Sequence, residues 1–279
     1  MPTLPAQHLI AHSVSLALAE DIGDKDWTAA LCPNLPGEAR IVARETAVLC
    51  GQAWLEECYR QIDARCQVQW HVAEGASIAN GDVVCTLSGP AQALLTAERS
   101  GLNFLQTLSG VATETRRYVD AVAGTRAVIH DTRKTVPGLR LAQKYAVTVG
   151  GGANQRVGLY DGILIKENHI IANGSITAAI AAARAIAPPH VTLQVEVENL
   201  AELDEALAAA CPLILLDNMS LDEMREAVRR SAGRAQLEAS GGVDLDSVRA
   251  IAETGVDRIS VGKLTKDVRA IDFSMRFVN

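Results

Sequence analysis

Aromatic residues are scarce, with three Trp, four Tyr and three Phe in 279 residues, so the core must be packed from aliphatic side chains. No two of the six cysteines (Cys32, Cys50, Cys58, Cys66, Cys85, Cys211) stand in a C-x-x-C spacing. A chain this long can bury a core without disulfide staples, so reduced, mostly buried thiols are predicted. Long hydrophobic runs are missing too. The most apolar stretch, 176–187, has twelve residues and contains Arg184, too short to span a bilayer. The first 18 residues hold no Lys or Arg and no extended apolar segment, and do not read as a secretory signal. Basic charge is in deficit, with 26 Lys plus Arg against 33 Asp plus Glu and a net charge of −7. Such a balance suits neither nucleic acid nor an anionic membrane. Together these absences predict a soluble cytoplasmic protein that binds neither.

Two patterns are present. Between residues 37 and 90 short β-prone runs (39–49, 68–72, 83–87) are punctuated by Glu74-Gly75, Asn80-Gly81-Asp82 and Ser88-Gly89-Pro90, which predicts antiparallel strands and hairpins. Helices are predicted at 8–20, 52–62 and 91–108. From about residue 116 the pattern becomes strand–helix alternation. Strands are predicted at 127–130, 162–166, 192–196, 213–216, 235–238 and 258–261, with helices at 139–149, 176–186, 200–210, 221–231 and 245–253. Repeated βαβ units mean a parallel sheet, and without a G-x-G-x-x-G after a strand a barrel is favoured over a dinucleotide-binding sheet. The expected fold class is α/β, with domains at 1–115 and 116–269 and a tail, 270–279, returning to the first.

In such a barrel the reactive groups sit at the C-terminal ends of the strands. Those ends read Asp131 with Arg133 and Lys134, then Lys166, Glu196, Asp217, Ser240 and Gly262. Residues 126–166 hold seven cations (Arg126, Arg133, Lys134, Arg140, Lys144, Arg156, Lys166) against Asp131 and Asp161, a local balance of +5 that leaves −12 on the remainder. A local positive field threaded through strand ends predicts a small polyanionic ligand. Arg126 and Lys144 also fit a solvated helix face. Arginine grips carboxylates with two parallel bonds and lysine acts as a point charge on phosphate, so Arg133 beside Lys134 predicts a ligand carrying both groups. Glu196 and Asp217 should end adjacent strands, the arrangement that holds Mg²⁺ jointly with phosphate oxygens; Glu198 is a substitute if its strand continues. Ser240-Gly241-Gly242 and Gly262 fit a phosphate site in the last two βα loops. Asp21, Asp24 and Asp26 lack the spacing of a calcium loop and read as helix exit and capping. His130 and His169 lack partners at zinc spacing.

At these residues the sequence resembles the quinolinate phosphoribosyltransferase family. The matching strings are DTRKTVPGLR at 131–140, the 150–156 glycine loop, LIKENH at 164–169, VEVE at 195–198, LLDN at 215–218 and EASGG at 238–242, with Glu98-Arg99 and Glu20-Asp21 earlier. The resemblance covers essentially the whole chain. It implies an N-terminal α/β sandwich, an open α/β barrel and a homodimer, sometimes a larger assembly. It also implies transfer of phosphoribose from phosphoribosyl diphosphate to quinolinate, giving nicotinate mononucleotide, CO₂ and diphosphate, with Mg²⁺ and without an organic cofactor. Carried over by position, Arg133 and Arg156 hold the quinolinate carboxylates, and Lys134 and Lys166 face the phosphates. Glu196 and Asp217 take magnesium and the ribose hydroxyls. Ser240, Gly241 and Gly262 cradle the 5′-phosphate, and Arg99 enters the neighbouring subunit's pocket.

One position departs from the family: Gln155 stands where His usually precedes the loop arginine. Glutamine hydrogen-bonds but cannot become cationic near neutral pH. Three other readings stay open on sequence: a phosphoribosyltransferase for another pyridine carboxylate, a Schiff-base lyase using Lys166, and a silent anion-binding module.

Overall fold

The run at 36–49 forms two strands rather than one. β1 (Pro36–Ala43) buries Ala39, Ile41 and Ala43 and exposes Glu38 and Arg40, the period-two pattern of a half-buried strand. A turn at 44–46 separates it from β2 (Ala47–Val48). The structure is a computed structural model that describes residues 3–278; Met1, Pro2 and Asn279, which the sequence assigns to the first domain and its tail, lie outside the described residues. The remaining strands are β3 (Gln67–Trp70), β4 (Ser77–Ile78), β5 (Val83–Pro90), β6 (Val128–His130), β7 (Gly162–Ile165) and β8 (Thr192–Val197). They are followed by β9 (Leu213–Asp217), β10 (Gln236–Ser240), β11 (Arg258–Ser260) and β12 (Phe273–Phe277). Contacts group the chain into two units. One comprises the residues up to Arg116, Val136–Gly151 and everything from Asp267 on; the other comprises Arg117–Thr135 and Gly152–Lys266.

The first unit is an α/β sandwich. Its antiparallel sheet has the order β12-β1-β5-β3, with β2 and β4 as a separate pair. β12 lies along β1 with Met275 opposite Ile41. The core joins Ile41, Leu87 and Phe273 from the sheet to Leu55, Tyr59, Leu94 and Leu105 from the helices Gln52–Ile62 and Ala91–Ala121. The latter helix runs thirteen residues past its expected end. Gly110 lies within it because a side chain at that position would lie 2.3 Å from the Arg269 carbonyl oxygen as the tail crosses the helix. Asp26 accepts hydrogen bonds from the backbone of Thr28 and Ala29, as a cap does, and those bonds lower its pKa. All six cysteines are free thiols, four of them buried, and burial pushes Cys58 and Cys85 up to about 12.

The second unit is the open barrel. Its six parallel strands have the order β6-β11-β10-β9-β8-β7. The first strand thus pairs with the last, as in a closed barrel, while β6 and β7 form two edges. Ala153 bridges the free edge of β6 at His130. The register aligns Glu196 with Leu215 and Glu238, and Asp217 with Ser240. Because side chains alternate along a strand, Leu164, Gln194, Glu196, Leu215, Asp217, Glu238, Ser240 and Ser260 share one face. Val195, Val197, Ile214, Leu216, Ala239 and Ile259 occupy the other, fully buried. The helices Ile176–Ile186 and Leu221–Ser231 fall where the periodicity puts them. The turn at Asp244 delays the next helix to Val248, with Asp244 accepting from the Ser247 amide. A short helix, Glu167–Asn173, follows β7 and is too brief to show a period in sequence.

Lys144 is not on a solvated face. It is 2% exposed, because the Arg140–Val149 helix is buried on nearly every side. Arg126 is exposed and paired with Asp257 at 2.6 Å. Among the described residues no single helix is long and apolar enough to cross a membrane.

Candidate active site

Inside the second unit the strand ends open into a cavity of about 630 Å³. Its walls include Arg133, Lys134, Gln155, Arg156, Lys166, Glu196, Asp217, Ser240, Gly241 and Gly262. Lys263 and Lys266 add two cations, so six basic side chains face three carboxylates, Glu196, Asp217 and Glu238. Arg99 is exposed on the Ala91–Ala121 helix of the first unit and is not among these walls.

The basic groups come from short, stiffened loops. After β6, the Lys134 amide bonds to Thr132 Oγ1 at 3.0 Å, and Thr265 Oγ1 donates to the Lys134 carbonyl at 2.8 Å. Arg156 follows the Gly150–Gly152 run and donates from Nη1 to the Gly162 carbonyl at 2.9 Å, while its buried Nε has no hydrogen-bond partner among the described residues. Burial pulls the Arg156 guanidinium below its ordinary pKa, and the nearby charge of Arg133 pulls it further in the same direction. Two cations held close together with one desolvated create a demand for anionic charge.

Lys166 ends β7 and pairs with Glu196 at 2.5 Å. Asp217 ends the neighbouring strand and accepts from Asn218 Nδ2 at 2.9 Å. Glu196 and Asp217 are therefore two carboxylates on one face of adjacent strands, a donor set that could hold Mg²⁺ together with phosphate oxygens. Among the described residues no three His, Cys, Asp or Glu side chains gather as a self-sufficient metal site. Glu198 is not among the walls of this cavity, since β8 ends at Val197; it lines an adjoining hollow with Glu167, Glu202 and Glu196, its amide bonding to Glu202 at 2.8 Å.

Beyond β10, Gly241 and Gly242 both adopt positive φ, +102° and +61°. A side chain at Gly241 would sit 2.1 Å from Asn218 Oδ1. Only glycine lets this backbone turn face the cavity.

Sequence reasoning missed the polar floor. Glu238 is fully buried and accepts from Gln155 Nε2 at 3.1 Å, Gln194 Nε2 at 3.0 Å and Ser260 Oγ. Gln155 also donates to Gln194 Oε1 at 3.2 Å, and its amide N–H to Asp131 Oδ1 at 2.8 Å. The available signal was parity: Gln194 and Glu238 are polar residues at inward positions of otherwise apolar strands.

The family description "Quinolinate phosphoribosyl transferase, C-terminal domain" matches residues 111–276, and the corresponding N-terminal domain matches 26–109. The chain belongs to the quinolinate phosphoribosyltransferase family. A probable nicotinate-nucleotide pyrophosphorylase (carboxylating) of Bacillus subtilis (strain 168) is 44% identical over 257 residues, covering 92% of this chain and 89% of that relative. A Synechocystis sp. protein of the same description is 41% identical over 282 residues, covering 100% and 96%. Among solved structures, the nicotinate-nucleotide pyrophosphorylase from Francisella tularensis superposes with a TM-score of 0.96 at 42% identity, covering 99% of this chain and 98% of that one. The cavity thus sits in the family's C-terminal domain, at the strand ends where a barrel carries its chemistry.

Proposed function

We propose that this chain transfers phosphoribose from phosphoribosyl diphosphate to quinolinate, releasing diphosphate and CO₂ and forming nicotinate mononucleotide for NAD biosynthesis. The observation that carries the reading is that Arg133 and Arg156 line one cavity at the strand ends together with Lys134 and Lys166. A pyridine bearing adjacent carboxylates offers two negative charges to these two guanidiniums.

In this reading the arginines hold the carboxylates and aim the ring nitrogen at C1 of the ribose. The nitrogen bonds to C1 as the C1–O bond to diphosphate breaks. Lys134 and Lys166 take up the charge that grows on the leaving group. The Ser240–Gly241 turn and Gly262 offer backbone to the 5′-phosphate. Glu196 and Asp217 would hold Mg²⁺, which when bound neutralises diphosphate oxygens. The C2 carboxylate then leaves as CO₂, its bonding electrons drawn toward the quaternised nitrogen, and C2 takes a proton from solvent.

The cytoplasm is the proposed location and a homodimer the proposed assembly, with Arg99, exposed on its own subunit, offered to the neighbour's cavity. The Lys166 Nζ is held against Glu196 at 2.5 Å, a placement that favours charge pairing in transfer over attack on a carbonyl as a Schiff-base nucleophile. The paired arginines likewise favour a dicarboxylate over nicotinate. The test is release of labelled CO₂ from quinolinate with phosphoribosyl diphosphate and Mg²⁺. Release with quinolinate and no nucleotide product from nicotinate is expected; the reverse preference would assign the chain to another pyridine acid.

A further inference from the structure

Glu238 lies on the inward face of the barrel with 0% exposure, and each of its hydrogen bonds comes from a neutral donor: Gln155, Gln194 and Ser260. A fully buried carboxylate that, among the described residues, takes its hydrogen bonds only from neutral donors costs more than the glutamine that would fill the same volume, even with the cations of the cavity wall nearby. Packing therefore does not account for the choice of residue.

What a carboxylate has and an amide lacks is a single polarity. It accepts at both oxygens and donates at neither. Any amide beside it must present its NH₂ end. Gln194 does so at Oε2, which turns its own carbonyl toward Gln155, and that carbonyl takes a Gln155 hydrogen at 3.2 Å. The other Gln155 Nε2 hydrogen goes to Glu238 Oε1 at 3.1 Å. Both amides are thus oriented by one acidic group. With its backbone N–H on Asp131, Gln155 ties the turn before Arg156 to the residue after β6 and to β8 and β10, the two strands flanking β9.

We propose that Glu238 is a positioning residue, whose acceptor-only carboxylate fixes the direction of the Gln155 amide and through it the placement of the Arg156 guanidinium. The inference rests on the reading of the cavity as a quinolinate site.

The test compares Glu238→Gln, Gln155→Ala and the double variant. Glu238→Gln keeps the volume and lets either end of the side chain face either neighbour. It is expected to raise KM for quinolinate about tenfold while KM for phosphoribosyl diphosphate stays within about twofold. Gln155→Ala is expected to do the same alone, which keeps the test open if Glu238→Gln folds poorly. The double variant is expected to lose no more than either single one, because the effect passes through one side chain. Additive losses, or parallel rises in both KM values, would overturn the proposal. Ligand-free crystal structures of the wild type and Glu238→Gln give a second arm independent of the substrate. The Gln155 amide is expected to turn and the Arg156 guanidinium to move by about 1 Å, enough to impair binding; an unmoved Arg156 would overturn the proposal. A wild type that turned over no quinolinate would sink the substrate reading, and the structural arm would still decide this one.

Discussion

The Lys166 ammonium lies 2.5 Å from Oε2 of Glu196, so the carboxylate best placed for a metal is already engaged by a cation of its own protein. Mg²⁺ held as proposed would compete with Lys166 for Glu196, and bound diphosphate would attract both cations. Lys166→Ala is therefore expected to lower the Mg²⁺ concentration giving half-maximal rate while cutting kcat roughly 10²–10³-fold, the usual effect of removing one preorganised charge-stabilising group. Steady-state rates across a Mg²⁺ titration check both halves, and an unchanged Mg²⁺ requirement would rule out the competition.

Arg156→Lys keeps the charge and loses the planar fork. Lysine cannot bond the Gly162 carbonyl and a carboxylate with fixed geometry, so KM for quinolinate is expected to rise roughly tenfold or more, with KM for phosphoribosyl diphosphate unchanged. Initial-rate measurements varying each substrate separate the two constants.

Gly241→Ala places a methyl group 2.1 Å from Asn218 Oδ1 at a residue with φ of +102°. A loss of about 1–3 kcal/mol in stability is expected, with a higher KM for phosphoribosyl diphosphate. Urea unfolding and kinetics on the same preparation test it; full stability with unchanged kinetics would contradict the close packing of this turn.

Gln155→His puts a group of ordinary pKa about 6.5 against the buried Glu238 carboxylate, with Arg156 as the next residue. Glu238 favours the imidazolium and outweighs the arginine, because it makes direct contact. The raised pKa means the added cation is present at low pH and is lost as pH rises through it. KM for quinolinate in this variant is expected to be lowest on the acid side and to climb toward alkaline pH, in contrast to wild type; matching pH profiles would show position 155 to be a neutral spacer.

Glu74 caps the helix Gln52–Ile62 by accepting from the Gly51 and Gln52 amides, yet burial raises its pKa. An acid whose folded pKa is raised is most favourable to the fold while protonated, and that contribution is lost as pH rises from its unfolded value through its folded one. Glu74→Gln keeps an acceptor without the charge. The thermal midpoint of wild type should therefore fall relative to Glu74→Gln as pH increases from about 4 through that range, where ordinary glutamates titrate near 4.3. A constant difference would show that the carboxylate ionises without cost.

The sequence by itself determined the units of the fold and the chemical character of the cavity. Apolar runs of the right period put β7 to β11 and their helices within a few residues of their observed bounds, because βα units are local in sequence. Basic and acidic strand ends were legible for the same reason: strand ends fix which side chains point out of a barrel. The tertiary structure decided what depends on contacts between distant residues. Lys144 is buried because its helix is packed all round, which no single-helix pattern reveals. Glu198 stays out of the cavity that holds Asp217 because β8 stops one residue earlier. Gly110 continues a helix because the Arg269 carbonyl passes over it, 159 residues further along the chain. The Gln155–Gln194–Glu238 floor joins three segments through parity and register, so its members become neighbours only when the sheet has formed.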